Sequence, residues 1–352
     1  MTQKRIINDT ITYSSASYVA IAIGFFVSVF SKKFLGVSGA GYWAIMTMVL
    51  TYGMYVGLGV NNALLREIPQ CIGAKEVGKA KRLEDATFSY LIVAGVTGAI
   101  VIWLLSFFMF TDPLLRTCVK IIAVLVVVSQ LYNLILNILR ARKQISVLSK
   151  VVISNALLIS MLALPGAYFF GIKGFASGMV MANVLSFYFA KRWADIKFTI
   201  NLDWTQIWYL IKIGCAVLLA NILFRTFLNV DKIMICKMIG IEQLGFYTIG
   251  IMVVQQIGVL PRLFHTVIFP HMQEKYGATK DVMDVKNMIL QPTYYISRLM
   301  PIFIGVIIFL TQPLVLLLLP QFKEGLDVMK ILVLGYFFMA VNQMSSALLF
   351  TI

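Results

Sequence analysis

Acidic residues are scarce in this chain: 15 Asp and Glu stand against 30 Lys and Arg, and charged residues of both signs make up only 13% of 352 positions. A water-soluble domain with so little charge would precipitate, so the net charge of +15 does not point to nucleic acid, as it would in a soluble protein. Histidine is limited to His265 and His271, too few and too poorly placed for a zinc motif. The four cysteines, Cys71, Cys118, Cys215 and Cys236, have no paired spacing, which argues against a disulfide framework or a metal site. Paired carboxylates, a nucleophile motif and a large hydrophilic loop are also missing, so the sequence offers no catalytic constellation and no cofactor site. The first apolar run is too long for a signal-peptide core and has no small-residue cleavage site, so it is expected to remain as a first span.

What the chain has in quantity is hydrophobic length. Hydrophobic residues are 60% of the sequence and the mean hydropathy is +0.88. A membrane crossing takes about 20 apolar residues. Ten candidate spans follow: Ile11–Phe30, Gly41–Leu64, Ala86–Phe110, Cys118–Leu139, Ile145–Phe170, Phe175–Ala190, Ile207–Met238, Leu244–Phe269, Thr293–Leu319 and Val328–Phe350. The fold class is therefore an all-α polytopic membrane protein. Most loop Lys and Arg fall on the N-terminal side of the membrane once the spans are drawn, with Lys32 and Lys33 as exceptions. That bias predicts a cytosolic N-terminus.

Several cations lie inside the apolar runs. A Lys or Arg at mid-span costs roughly 2.5–3.5 kcal/mol on insertion scales, so such residues face a wet cavity, a partner or the interface. At about 100° per residue, Asn221, Arg225, Asn229 and Lys232 fall within an arc of about 80° on the seventh span. Such a face suits a lumen that receives an anion; the competing reading is pairing with Asp231 and snorkelling of Lys232. The fourth span repeats the pattern with Gln130, Asn133, Asn137 and Arg140, and the second places Tyr55, Asn62 and Arg66 on one face. Arg66 and Arg140 sit near span ends, where an interfacial anchor explains them equally well. Arg262 follows Pro261, which bends a helix and frees a carbonyl. His265, on the same span, reads as a structural hydrogen-bond donor. Arg298 sits one turn before Pro301 with snorkelling as its alternative, and Lys212 reads as interfacial. Asp231 is the acid best placed within the bilayer, either coupling transport to H⁺ or Na⁺ or neutralising Arg225 or Lys232.

The sequence also repeats itself. Residues Phe34–Trp43 and Met238–Tyr247 both run apolar-Gly, four residues, Gly, then two aromatics, and Gly36 and Gly240 are 204 positions apart. Ile68-Pro69 and Phe269-Pro270 follow at nearly the same offset. Six spans separate the copies, which predicts two parallel repeats about an axis along the membrane normal, with a binding site between the halves. The domains expected are residues 1–200, a six-helix bundle, and residues 201–352, four helices of an expected six. On that count the sequence is expected to be truncated.

The stretches Lys33–Ile45, Leu58–Pro69, Asn229–Ile233, Ile239–Tyr247 and Val267–Met272 resemble the Wzx-type oligosaccharide flippases of the multidrug/oligosaccharidyl-lipid/polysaccharide (MOP) exporter superfamily. Gly57 stands where many of those relatives carry an acid. The resemblance implies two pseudo-symmetric helical bundles in a V around a central cationic cavity, in the bacterial inner membrane. It also implies a flippase that carries a polyprenyl-pyrophosphate-linked oligosaccharide, such as an O-antigen or capsule repeat unit, from the cytoplasmic to the periplasmic leaflet by alternating access. Membrane lipids, a polysaccharide polymerase and a chain-length regulator would be its partners. The alternatives are a lipid II flippase and, in a different class, a membrane glycan polymerase or ligase. A multidrug exporter for cations fits poorly, because its lumen should be acidic.

Overall fold

The computed structural model describes residues 3–259, 261 and 282–349, and among these every regular element is helical. The helices are α1 (Gln3–Gly53), α2 (Val60–Gly73), α3 (Val77–Met109), α4 (Pro113–Ala141), α5 (Ile145–Trp193), α6 (Trp204–Phe227), α7 (Val230–Met238), α8 (Ile241–Ile257), α9 (Val282–Leu318) and α10 (Gly325–Leu349). Among the described residues six helices, or up to seven if a bent pair counts as one, are long and apolar enough to cross a membrane. Large side chains such as Phe108, Phe169, Phe309 and Leu317 stand almost fully exposed. A water-facing surface does not carry apolar side chains in this number and size, whereas a lipid-facing one does.

Two of the longest helices each contain two spans. Gly36 (φ 72°, ψ −174°) interrupts α1, and Gly171 (φ 60°, ψ −145°) interrupts α5. An L side chain is strained at such angles, and glycine has no Cβ to clash, so the chain reverses at these points without a loop. The break at Gly171 agrees with the boundary expected between Phe170 and Phe175. Two other expected spans are interrupted. The second is broken at Leu58 and Gly59, both with positive φ, before α2 begins. The seventh is two helices, α6 and α7, parted at Leu228 and Asn229. Much of the eighth, after α8 ends at Ile257, lies outside the described residues. The first glycine of each repeat copy has positive φ, 72° at Gly36 and 120° at Gly240.

The chain forms two compact units, Met1–Gly240 and Ile241–Ile352. The boundary expected at residue 200 falls in the extended strap before α6, and by contacts α6 and α7 group with the first unit. Within that unit one apolar core joins α2, α3, α4, both ends of α5 and the start of α6, around Leu64, Leu91, Ile135 and Leu139. A second joins α1, α4 and the middle of α5 around Met46, Leu125 and Ala163. In the second unit α8 packs on α10, and Phe246 of α8 stands edge-on, at 6.5 Å, to Phe322 in the short 3-10 turn Pro320–Phe322 that precedes α10.

Three polar devices fix the first unit. Glu84, fully buried on α3, accepts two hydrogen bonds from Arg142 after α4, from Nε at 2.8 Å and Nη2 at 2.5 Å. The strap before α6 is tied to α3: Thr199 donates from its amide and its hydroxyl to Asp85, and the Asn201 amide donates to Ser89 at 2.9 Å. Phe198 lies parallel to Phe88 with centroids 4.3 Å apart. Asp203 then caps α6 by accepting from the Thr205 and Gln206 amides, as an N-cap acid should. The strap thereby decides where α6 enters the unit.

Helix α6 crosses the start of α2 at Gly214 and Gly59, backbone to backbone. A Cβ on Gly214 would lie 2.4 Å from the Gly59 carbonyl oxygen, and one on Gly59 would lie 2.5 Å from that of Gly214. Neither backbone can yield. Gly214→Val is therefore expected to destabilise the protein by about 1–3 kcal/mol or more, read as a lower melting temperature in detergent. Gly305→Ala, where a Cβ meets nothing within 4 Å, should leave it unchanged. Glu84→Ala leaves the half-buried Arg142 without its acid and removes two charge-assisted hydrogen bonds, an effect of about 1.5–3 kcal/mol; the double variant Glu84→Met/Arg142→Met should melt higher than Glu84→Ala alone.

Candidate functional site

The cations singled out from the sequence fall in different local settings. Helix α1 ends in a short 3-10 turn, Met54–Gly57, which brings Tyr52 and Tyr55 against α6. The Tyr55 hydroxyl donates to the Asn221 carbonyl and the Tyr52 hydroxyl to Thr226 Oγ1, both at 3.3 Å. The two rings lie edge to face, 6.2 Å apart. Arg225, one turn after Asn221, is exposed beside them, and its charge acts on both the Tyr55 hydroxyl and the Lys232 ammonium. No carboxylate of the described residues comes within 4.0 Å of it. Arg225 is thus an exposed cation near the Tyr55 hydroxyl and the Lys232 ammonium.

The end of α6 explains what becomes of Asn229 and Lys232. The Leu228 amide donates to the Phe224 carbonyl, and the Asn229 amide to the Thr226 carbonyl, the tightened last turn of a helix end. Asn229 is buried and accepts a 2.7 Å hydrogen bond from Lys232 Nζ. Asp231 accepts from the Lys232 amide at 2.7 Å in the first turn of α7, where a carboxylate suits the helix dipole. Asn221 and Arg225 share a helix, but Asn229 and Lys232 lie beyond its end and turn toward each other.

A second cluster forms where α4 meets α1 and α2. Arg140 donates to Asn137 Oδ1 and to the Tyr13 hydroxyl, and Asn137 donates to the Asn61 carbonyl, all at 3.3 Å. The guanidinium is exposed and meets no described carboxylate within 4.0 Å. Asn133 lies on the exposed side of α4 and donates to Ser129 of its own helix at 2.8 Å. Gln130 is buried against Gly57, with its amide nitrogen lacking a partner. On α2, Asn62 is exposed, and Arg66 is 66% exposed with its nearest acid, Glu67, at 3.9 Å. Glu67 is buried and accepts from the Tyr209 hydroxyl of α6 at 2.9 Å.

In the second unit, the Arg298 guanidinium sits over the Tyr294 ring at 4.0 Å, a cation–π contact. On α6 of the first unit, Lys212 lies 6.0 Å from the Trp208 ring. Arg262, His265 and His271 lie outside the described residues. Among the described residues no group of three His, Cys, Asp or Glu could hold a metal ion.

Sequence reasoning missed Tyr13, Asn61, Glu67, Tyr209 and Thr226. Tyr13 and Tyr209 stand near the starts of apolar helices, where interfacial tyrosines are expected anyway. The adjacency of Arg66 and Glu67 was the one local signal available.

The comparisons with known proteins agree on one kind of protein. The profile of a family described as "Polysaccharide biosynthesis protein" matches residues 33–324. No curated protein sequence matches the chain. Among solved structures, an inward-facing multidrug resistance MATE family transporter of the MOP superfamily is similar over 95% of this chain and 86% of its own, at 15% identity and a TM-score of 0.69. Its outward-facing counterpart gives 97%, 84%, 15% and 0.62 on the same measures. A MOP superfamily transporter from Pyrococcus furiosus, described by the reverse polarity of its binding pocket, gives 97%, 84%, 16% and 0.61. Identities this low establish the fold alone, and it is the fold of these transporters. The chain belongs to the family described as polysaccharide biosynthesis protein, whose model covers residues 33–324.

Proposed function

We propose that the protein is a flippase that moves a polyprenyl-pyrophosphate-linked oligosaccharide from the cytoplasmic to the periplasmic leaflet of a bacterial inner membrane by alternating access. The observation that carries this reading is Arg225: an exposed guanidinium on an apolar helix, near the Tyr55 hydroxyl and the Lys232 ammonium, with no described carboxylate within 4.0 Å. A guanidinium stays charged when desolvated, and its planar fork matches two phosphate oxygens at once. Lys232 adds a second cation, and Arg140 and Arg66 add two more on α4 and α2. Asn62, Asn133 and the tyrosines offer the hydroxyl- and amide-bonding groups that sugars need.

Arg262 and Arg298 complete the proposed set, the first on its sequence pattern alone. Asp231, in the first turn of α7, is the site assigned to H⁺ or Na⁺ coupling. A polysaccharide polymerase and a chain-length regulator would act on the delivered repeat unit.

Loss of a hydrogen bond to a charged group costs about 1.5–3 kcal/mol, about ten- to a hundred-fold. Arg225→Ala should thus reduce surface glycan at least about ten-fold in a flippase-deleted strain, with membrane insertion unchanged by blotting. Arg225→Lys should recover part of the loss, since the charge is kept and the fork is not. Full export by Arg225→Ala would remove the assignment. Tyr13→Phe, which deletes one of the two groups positioning Arg140, should lower export by a smaller factor, on the order of three- to ten-fold.

A further inference from the structure

The same unit has a second feature of different chemistry, on the face formed by α3, α4 and the second half of α5. A groove of about 630 Å³ opens there, lined by Trp103, Thr117, Lys120, Val124, Ser177 and Met181 among others. Helix α4 and residues 172–193 of α5 start at the same end of the unit, the end with the α3–α4 turn. Polar lining groups therefore gather at that end: Thr117, Lys120 and Ser177 lie within the first turns of their helices. Farther along both helices the lining is Val124, Met181 and Val184. The groove has a polar mouth and an apolar floor, graded along the direction in which a bilayer changes from headgroup to hydrocarbon.

The mouth is positively charged. Lys120 Nζ stands 4.4 Å from the Phe107 ring centroid and 5.3 Å from that of Trp103. The Arg116 guanidinium stands 5.5 Å from the same Phe107 ring and donates to the Phe110 carbonyl, while its Nε is buried without a partner. Two cations thus share one ring, within about 10 Å of each other, a distance at which like charges still repel. Lys173 is exposed near Cys118 at the same end. Among the described residues no carboxylate lies within 4.0 Å of any of the three. The nearest acid in sequence, Asp112, is already engaged by the Tyr42 hydroxyl and the Leu114 amide. Val124 and Met181 are each 52% exposed, so the floor is open to a hydrocarbon chain.

The geometry points to a binding site for one anionic phospholipid, its phosphate on Lys120 beside Arg116 and one acyl chain along Val124, Met181 and Val184. Lysines and arginines between membrane helices favour anionic headgroups, and the aliphatic stem of Lys120 lets its charge reach the interface. This site is independent of the transported substrate: it lies on other residues than Arg225 and Arg140.

The test is native mass spectrometry of the purified protein equilibrated with equal amounts of phosphatidylglycerol and phosphatidylcholine. The wild type should retain phosphatidylglycerol over phosphatidylcholine by about five-fold, the preference expected for one basic contact. Lys120→Gln should bring the ratio near one, and Lys120→Arg should keep it. Val184→Trp, which fills the apolar floor, should lower total lipid retention without altering the melting temperature. A wild-type ratio of one overturns the proposal, as does an unchanged ratio in folded Lys120→Gln protein. Displacement of phosphatidylglycerol by an equal concentration of polyprenyl phosphate also overturns it, because the groove would then belong to the substrate.

Discussion

A guanidinium within an apolar helix must meet water, an acid or a ligand, and the supply of acids decides which. In the first unit the described acids are largely spent on architecture. Glu84 holds Arg142, Asp85 ties the strap to α3, Asp112 and Asp203 cap α4 and α6, and Glu67 takes the Tyr209 hydroxyl. Arg140 is left with a tyrosine hydroxyl and an asparagine amide, and Arg225 with the Tyr55 hydroxyl and a second cation, Lys232, nearby. A protein that neutralised these charges internally would place carboxylates beside them. This one places hydroxyl and amide groups there, which orient a cation and leave its charge available.

The architecture that presents these charges depends on where α6 enters. The strap fixes its start through Asp85 and Ser89, and the Gly59–Gly214 crossing brings it to backbone contact with α2. From there Asn221 and Thr226 meet Tyr55 and Tyr52 at the end of α1. Small residues are how helices approach closely without a hydrophobic gain from water, and here that closeness sets the register of the cationic side chains.

Hydropathy alone located most of the apolar helices, and the reversals at Gly36 and Gly171 fall where the sequence puts span boundaries. The interruptions at Leu58–Gly59 and at Leu228–Asn229 were invisible to it, because a two-residue break barely alters the mean over a span-length window. This matters at the candidate site: Asn221, Arg225, Asn229 and Lys232 look like one face at helical spacing, yet the helix ends between the second and third. The partners of Arg140 were hidden for a different reason. Tyr13 is 127 positions away, and only the packing of α1 on α4 joins them. Periodicity reports which residues share a helix face and says nothing of what a neighbouring helix sets against it.

The central claim is that Arg225, with Arg140 and Arg66, serves to hold a pyrophosphate. The most direct measurement is equilibrium binding of a short polyprenyl pyrophosphate, the matching monophosphate and the neutral polyprenol to purified protein. The account predicts affinity falling in that order, with the advantage of pyrophosphate over alcohol shrinking as salt is raised. Equal affinity for all three would show that the tail alone is recognised and would contradict it.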